Sequence, residues 1–422
     1  MSKRNIVILL LLFYGFNVFL TLNRHSKSGI QNYHSEIWAD KGGYYIYLPA
    51  FLIYHFHAEK LPERIDKKTG SGFSIANGII KTKYTYGVAL LQSPFFIIAH
   101  LLSTTFGYEN DGFSLIYHKM IDLAAVTYTF LALILLYLFL SRYVHKRLAF
   151  ISVACIYLGT NLFYYSIFET GMSHIYSFFL FTCFLYLSSF ILQPNQNRII
   201  SILFGIIVGL IIVVRPINVL FFPIYFILHQ LKLNELKSHL VSIFLIFGTA
   251  IIILIPQFLY WKYSEGNYFF DSYTNENFSN LFSPKILNLW FSTNNGLLIY
   301  SPLVIFILAG IYYIKNISLQ KRMLIGAYFL FISLVFASWH DWTYGCSYGC
   351  RPYVEYYSIL ALPFCYFLKE IETKKYLRFV FGFLIITTIV YNMKMVFSYD
   401  GCWYGYDWDW KELFRILTSK TK

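Results

Sequence analysis

His34 to Phe56 reads HSEIWADKGGYYIYLPAFLIYHF, so two acids, Glu36 and Asp40, run directly into a block of aromatic and aliphatic residues. The apolar part is too short to cross a bilayer, which takes about 20 helical residues, and Pro49 interrupts it. Such a segment fits a helix lying in the headgroup plane and starting near Pro49, since proline suits a first helical turn. Asp40 then stands at the lip of a cavity, where membrane meets water.

The surrounding chain agrees with a membrane setting. Its 422 residues are 57% hydrophobic and only 13% charged, with a mean hydropathy of +0.54, unlike an ordinary soluble domain. The first apolar run, Ile6 to Leu22, follows Lys3 and Arg4 and is followed by no small-residue cleavage site, so it reads as a retained span. Further spans are expected at Ile116–Leu140, Leu148–Ile167, Ile175–Leu192, Leu240–Trp261, Leu297–Ile314, Met323–Trp339, Tyr353–Leu368 and Tyr376–Phe397. The run Ile199–Leu231 is longer, and RPIN at Arg215–Asn218 splits it into two short spans.

Val88–Leu101 is read as dipping into the outer interface, because counting it as a span would place the basic RYVHKR loop outside and break the positive-inside rule. The expectation is an all-α bundle of about 11 spans with the N-terminus inside. Residues 1–397 form the membrane domain, residues 23–113 its first extracytoplasmic loop with interfacial helices, and residues 398–422 an outer amphipathic tail. The acids, which the rule does not use, agree: among the 21, only Glu235, Glu370 and Glu372 fall in inner loops. A formal charge of +13 then reports orientation, and no nucleic-acid partner is expected.

The outer face therefore carries the chemistry. Asp40, flanked by Trp38, Tyr44 and Tyr45, is placed to accept a proton from a hydroxyl arriving from water, while the aromatic rings stack on sugars. Glu36 and Glu169 are the alternative acids; as plain loop carboxylates they would do no chemistry. Arg351 is the leading phosphate partner, because a guanidinium grips phosphate oxygens in a fork; its bland alternative is a helix-end anchor. Lys83, Lys285, His174, His340 and Trp342 complete the outer candidates, with Asp341 orienting His340 or pairing with Arg351. Arg215 is costly in lipid and should face the bundle interior, as a site residue or as a structural ion pair.

Several stretches resemble the bacterial GT-C glycosyltransferases, relatives of protein mannosyltransferases and lipid A aminoarabinose transferases. They are the first-loop acid followed by GGYYIYLPAF, then KYTYGVALLQSPFFIIAHLL, LFSPKILNLWFSTNNGLLIYSPLV from Leu281 to Val304, and WHDWTYGCSYGCRPYVEYYSILALPF from Trp339 to Phe364. The resemblance implies inverting transfer of a sugar from a polyprenyl-phosphate donor to a glycan, lipid or protein acceptor outside a bacterial cytoplasmic membrane, with the first-loop Asp as base. Two departures stand out. Many mannosyltransferase-type relatives carry an Asp-Glu pair where Asp40 is followed by Lys41, and Cys346 and Cys350 replace other residues.

No clustered acids accompany Asp40, and DWD at Asp407–Asp409 lies in the tail, so neither a metal nor another cofactor is expected. Two of Cys346, Cys350 and Cys402 have the opportunity to form a disulfide in an oxidising compartment. A multispan transporter or lipid flippase is the alternative from another class; an O-antigen polymerase or a scaffold are further ones. Transport is disfavoured because ionisable residues gather at one face, with Arg215 and Lys394 as exceptions.

Overall fold

The computed structural model describes residues 3–24, 29–191, 197–229, 239–273, 276–315, 317–405 and 407–419. Among them, six helices are long and apolar enough to cross a membrane: Arg4–Leu22, Leu115–Leu140, Ser173–Ile191, Leu240–Glu265, Leu319–Ala337 and Lys375–Ser398. Shorter apolar helices run over Gly87–Ser103, Arg198–Val214 and Pro216–Leu228. Large apolar side chains point outward along them, as Phe244 and Phe247 do on one helix and Phe379 and Phe383 on another. That arrangement suits lipid, where every backbone polar group needs an internal partner.

Three of the expected spans are broken helices. Leu148–Ile167 is split into Lys146–Gly159 and Leu162–Ile167. The break is repaired by Asn392, whose amide donates to the Leu158 carbonyl at 2.8 Å and the Thr160 carbonyl at 3.0 Å. Leu297–Ile314 is interrupted at Ser301 and Pro302, between helices Leu297–Tyr300 and Val304–Tyr312. Ile199–Leu231 breaks at Arg215, as RPIN implied, and continues as a 3-10 turn over Pro216–Phe221. Arg198–Val214 lies close against Leu240–Glu265 because Gly205 and Gly209 present no side chain: a Cβ at Gly205 would stand 1.9 Å from Thr249 Oγ1. Small residues one helical turn apart commonly permit such backbone approach in membranes.

The first long loop has its own small core, in which Ile37, Tyr45, Tyr47, Phe96 and Phe113 pack together with Tyr117 of the Leu115–Leu140 helix. Two readings of this loop need correction. The interfacial helix does not start near Pro49; it starts at Asp40, as Asp40–Tyr45, and resumes as Tyr47–Leu52 with Pro49 in its first turn. The loop is also not wholly helical, since Ser74–Ala76 pairs antiparallel with Ile79–Lys81. Asn77 and Gly78 both take positive φ, at 53° and 75°, the demand of a tight hairpin turn that Asn-Gly meets.

Candidate functional site

Asp40 opens its helix from a bent backbone, for Ala39 before it has a φ of 50°. That conformation is unfavourable for a residue with a side chain. It is held by a hydrogen bond from Ala39 N to the Thr69 carbonyl at 2.8 Å and by Gly72, where a Cβ would meet the Ala39 carbonyl at 2.1 Å. Arg351 comes from the other side, at the start of the 3-10 turn Arg351–Tyr353 whose remaining residues are buried. Its Nη2 lies 3.6 Å from Asp40 Oδ2, and the two side chains keep 23% and 39% exposure, so water reaches the pair in its recess.

Burial opposes ionisation of Asp40. The Arg351 guanidinium, the Tyr84 hydroxyl and the ammonium groups of Lys83 and Lys41 outweigh it and hold the carboxyl below its usual range. Burial likewise works against the charge on Arg351, and Asp40 with the phenols around it more than restores that charge.

Behind this pair sits a buried triad. Glu355 Oε1 accepts from Arg215 Nη1 at 2.6 Å, and Glu355 Oε2 lies 2.9 Å from His174 Nδ1. Glu355 and His174 are almost fully buried, while Arg215 retains 20% side-chain exposure. Arg215 lies within the electrostatic reach of Arg351 and Tyr44. Tyrosines wall the recess: the Tyr44 and Tyr84 rings stand 4.2 Å apart, Tyr165 packs edge-on to His174 at 5.2 Å, and Lys83 Nζ lies 5.4 Å from the ring centres of both Tyr84 and Tyr273. Lys83 is itself paired with Glu276.

Of the residues singled out in the sequence, Asp40, Arg351, Tyr44, Lys83, Arg215 and His174 are thus brought together. Others are placed elsewhere. Glu36 is neither a solvated acid nor a group facing the recess; its carboxylate is fully buried on Arg24 and His118. Glu169 is bound to Lys41 at 2.9 Å. Tyr45 is buried in the loop core and donates its hydroxyl to the Gly112 carbonyl at 2.5 Å. Asp341 neither orients His340 nor pairs with Arg351, because its carboxylate closes its own turn onto Thr343. His340 is exposed beside Trp339, Trp342 is half-buried in the same loop, and Lys285 is exposed, tied to Ala337 through its backbone.

Glu355, Tyr84 and Tyr273 were not anticipated. Glu355 had a readable signal, a carboxylate inside the apolar run Tyr353–Leu368, where an acid is expensive unless it is used.

The C-terminal tail closes over the loop that carries Arg351. Cys346 and Cys402 form a disulfide, while Cys350 remains a buried thiol. Trp408 donates from Nε1 to the Thr293 carbonyl at 3.0 Å and stacks on Trp403 with ring centres 4.5 Å apart. Both tryptophans are buried, so these rings anchor the tail rather than offer a sugar platform.

Among the described residues no three His, Cys, Asp or Glu side chains converge as a metal-binding set. The Asp40 carboxylate instead faces the Arg351 guanidinium.

No protein-family model matches the chain, and no curated protein matches it by sequence. Solved structures do. The Archaeoglobus fulgidus oligosaccharyltransferase in complex with zinc and sulfate superposes with a TM-score of 0.56 at 17% identity, over 92% of this chain and 52% of that one. The same enzyme tethered to an acceptor peptide containing the NVT sequon gives 0.57 at 16% identity, over 95% and 56%. Its complex with an inhibitory peptide and a dolichol-phosphate gives 0.54 at 15%, over 92% and 55%. The chain thus spans about half the length of the solved chains it matches. With its long apolar helices, it is a multi-pass membrane protein that shares the fold of the archaeal oligosaccharyltransferase.

Proposed function

We propose that this chain is an inverting glycosyltransferase that moves a sugar from a polyprenyl-phosphate donor to an acceptor on the outer face of the membrane, without a metal. The observation that carries the reading is the water-reached pairing of Asp40 with Arg351 at 3.6 Å. It sets a proton acceptor and a phosphate receptor in one place, and a donor seated between them would have the base on one face of the anomeric carbon and the guanidinium on the other, as inverting displacement requires. Asp40 takes the proton of the acceptor hydroxyl as its oxygen bonds to the anomeric carbon. The bond from that carbon to the phosphate oxygen breaks, and its electron pair leaves with polyprenyl phosphate, whose charge Arg351 and the exposed edge of Arg215 receive.

Charge pairing supports a donor with a single phosphate. Arg215 is matched by Glu355, Lys83 by Glu276 and Lys41 by Glu169, which makes Arg351, with its looser partner Asp40, the main receptor of an incoming anion and the edge of Arg215 a secondary one. A phosphate on Arg351 also removes the counter-charge that keeps Asp40 weakly basic, so donor binding strengthens the base. The fold shared with an oligosaccharyltransferase that binds dolichol-phosphate supports the lipid-linked donor class.

The test is to offer the protein in nanodiscs a panel of polyprenyl-phosphate sugars with an envelope extract as acceptor, and to measure free polyprenyl phosphate. Release with one donor, dependent on acceptor, is the expected result. A folded protein that moves labelled lipid across the bilayer and releases nothing would establish the transporter or flippase alternative instead.

A further inference from the structure

Beneath the first loop lies a second charge cluster that the reaction does not touch. Arg24 sits just past the first helix with its side chain 1% exposed. It bonds through Nη2 to Glu36 Oε1 at 2.5 Å and through Nη1 to Asp122 Oδ1 at 2.9 Å, both acids being fully buried. Nη1 also reaches the Thr21 carbonyl at 2.9 Å and the Ile167 carbonyl at 3.2 Å. The other oxygen of Glu36 is 2.8 Å from His118 Nδ1, and the Thr170 hydroxyl donates to Asp122 at 2.8 Å. One guanidinium thus joins the first helix, the loop around Glu36, the Leu115–Leu140 helix and the Ile167–Thr170 loop.

Buried ion clusters are weak stabilisers compared with apolar packing of the same volume, and removing one member is costly. What such a cluster supplies is geometry, and the geometry here concerns Asp40. Glu36 lies four residues before Asp40. The chain around it has no slack: a Cβ at Gly171 would meet the Glu36 carbonyl at 2.1 Å. Lys41, directly after Asp40, is bonded to Glu169 at 2.9 Å, and Glu169 belongs to the loop that Arg24 grips through Ile167. Both sides of Asp40 therefore hang on Arg24, one through Glu36 and the other through Lys41 and Glu169.

We infer that Arg24 is the positioning residue for the proton-accepting carboxylate, its buried bridges to Glu36 and Asp122 locking the segment from Ser35 to Lys41 so that Asp40 stays against Arg351. The inference rests on the reading of Asp40 as the base.

Its test is the pH profile of kcat/KM for Arg24→Met, Arg24→Lys and Glu36→Gln, with Asp40→Asn alongside and thermal unfolding recorded for each. The charged and titratable groups facing Asp40 are Arg351, Tyr84, Lys83, Lys41, Tyr44 and Tyr273, and all of them are kept in the Arg24 and Glu36 variants. If Asp40 drifts from Arg351, the acid limb moves to higher pH and kcat falls by about 10²-fold, the scale of an ångström's misplacement. Donor KM stays within about two-fold, as Arg351 and Arg215 are untouched, and Arg24→Lys recovers part of the loss. A lowered unfolding temperature with an unmoved acid limb and unchanged kcat in Glu36→Gln, which carries the test where Arg24→Met does not fold, would overturn the positioning role alone. An Asp40→Asn protein with full activity would remove the base, and the inference with it.

Discussion

In the resting protein Arg351 faces Asp40; in the proposed reaction it faces the donor phosphate, and the basicity of Asp40 follows that exchange. Since kcat/KM reports the free protein and kcat the bound complex, the two profiles should differ. Activity needs ionised Asp40, so the acid limb of kcat/KM lies below the usual carboxylate range, where Arg351 holds the group. The acid limb of kcat lies at higher pH, because phosphate then occupies Arg351. Arg351→Met should raise the limb of kcat/KM as well, since burial then acts with less opposition; coincident limbs in all three measurements would refute the exchange. Arg351→Lys, which loses the fork, should weaken donor binding by about 10- to 100-fold, the worth of a hydrogen bond to a charged group.

Asp40 and Arg351, which the structure pairs, were singled out in the sequence because each stands where a polar loop meets an apolar run. Glu355 and Asp122 lie inside apolar runs and were passed over, although a buried acid in a span asks for a partner. Glu36 and Glu169 were seen, and their placement was not. Their partners Arg24 and Lys41 are fixed by the fold, and Lys41 is 128 positions from Glu169, a pairing no local pattern records.

Among the elements, helix interiors were readable and their interruptions only in part. RPIN announced the break at Arg215, and Asn77-Gly78 announced a hairpin that an all-helical reading ignored. The break at Thr160 is bridged by Asn392 of a distant helix, and its local mark, Gly159-Thr160-Asn161 inside the apolar run, was passed over. Close packing of Arg198–Val214 on Leu240–Glu265 gives a prediction: Gly205→Leu should cost about 1–3 kcal/mol through overpacking, seen as a lower unfolding temperature in detergent. Wild-type stability in that variant would contradict the contact. The bond between Cys346 and Cys402 predicts four titratable thiols in the unfolded, unreduced protein, namely those of Cys155, Cys183, Cys350 and Cys365. Six would mean that the strap over the Arg351 loop is not covalent.

At the scale of the whole molecule, composition and charge placement pointed to a bundle with one varied face, and the fold it shares with the archaeal oligosaccharyltransferase at 17% identity agrees with the expected GT-C architecture. Zinc is part of one of those solved complexes. In the proposed reaction Asp40, which faces the Arg351 guanidinium, acts without a metal, so treatment with a chelator should leave sugar transfer unchanged. Inhibition reversed by a single divalent ion would contradict the metal-free reading.

The most direct test of the central claim is single-turnover release of polyprenyl phosphate in nanodiscs by the wild type and by Asp40→Asn, with donor binding measured separately. The account predicts that Asp40→Asn binds donor at least as tightly, Arg351 being freed, and releases polyprenyl phosphate about 10²- to 10⁴-fold more slowly, the worth of a general base. Equal release rates from the two proteins would contradict it.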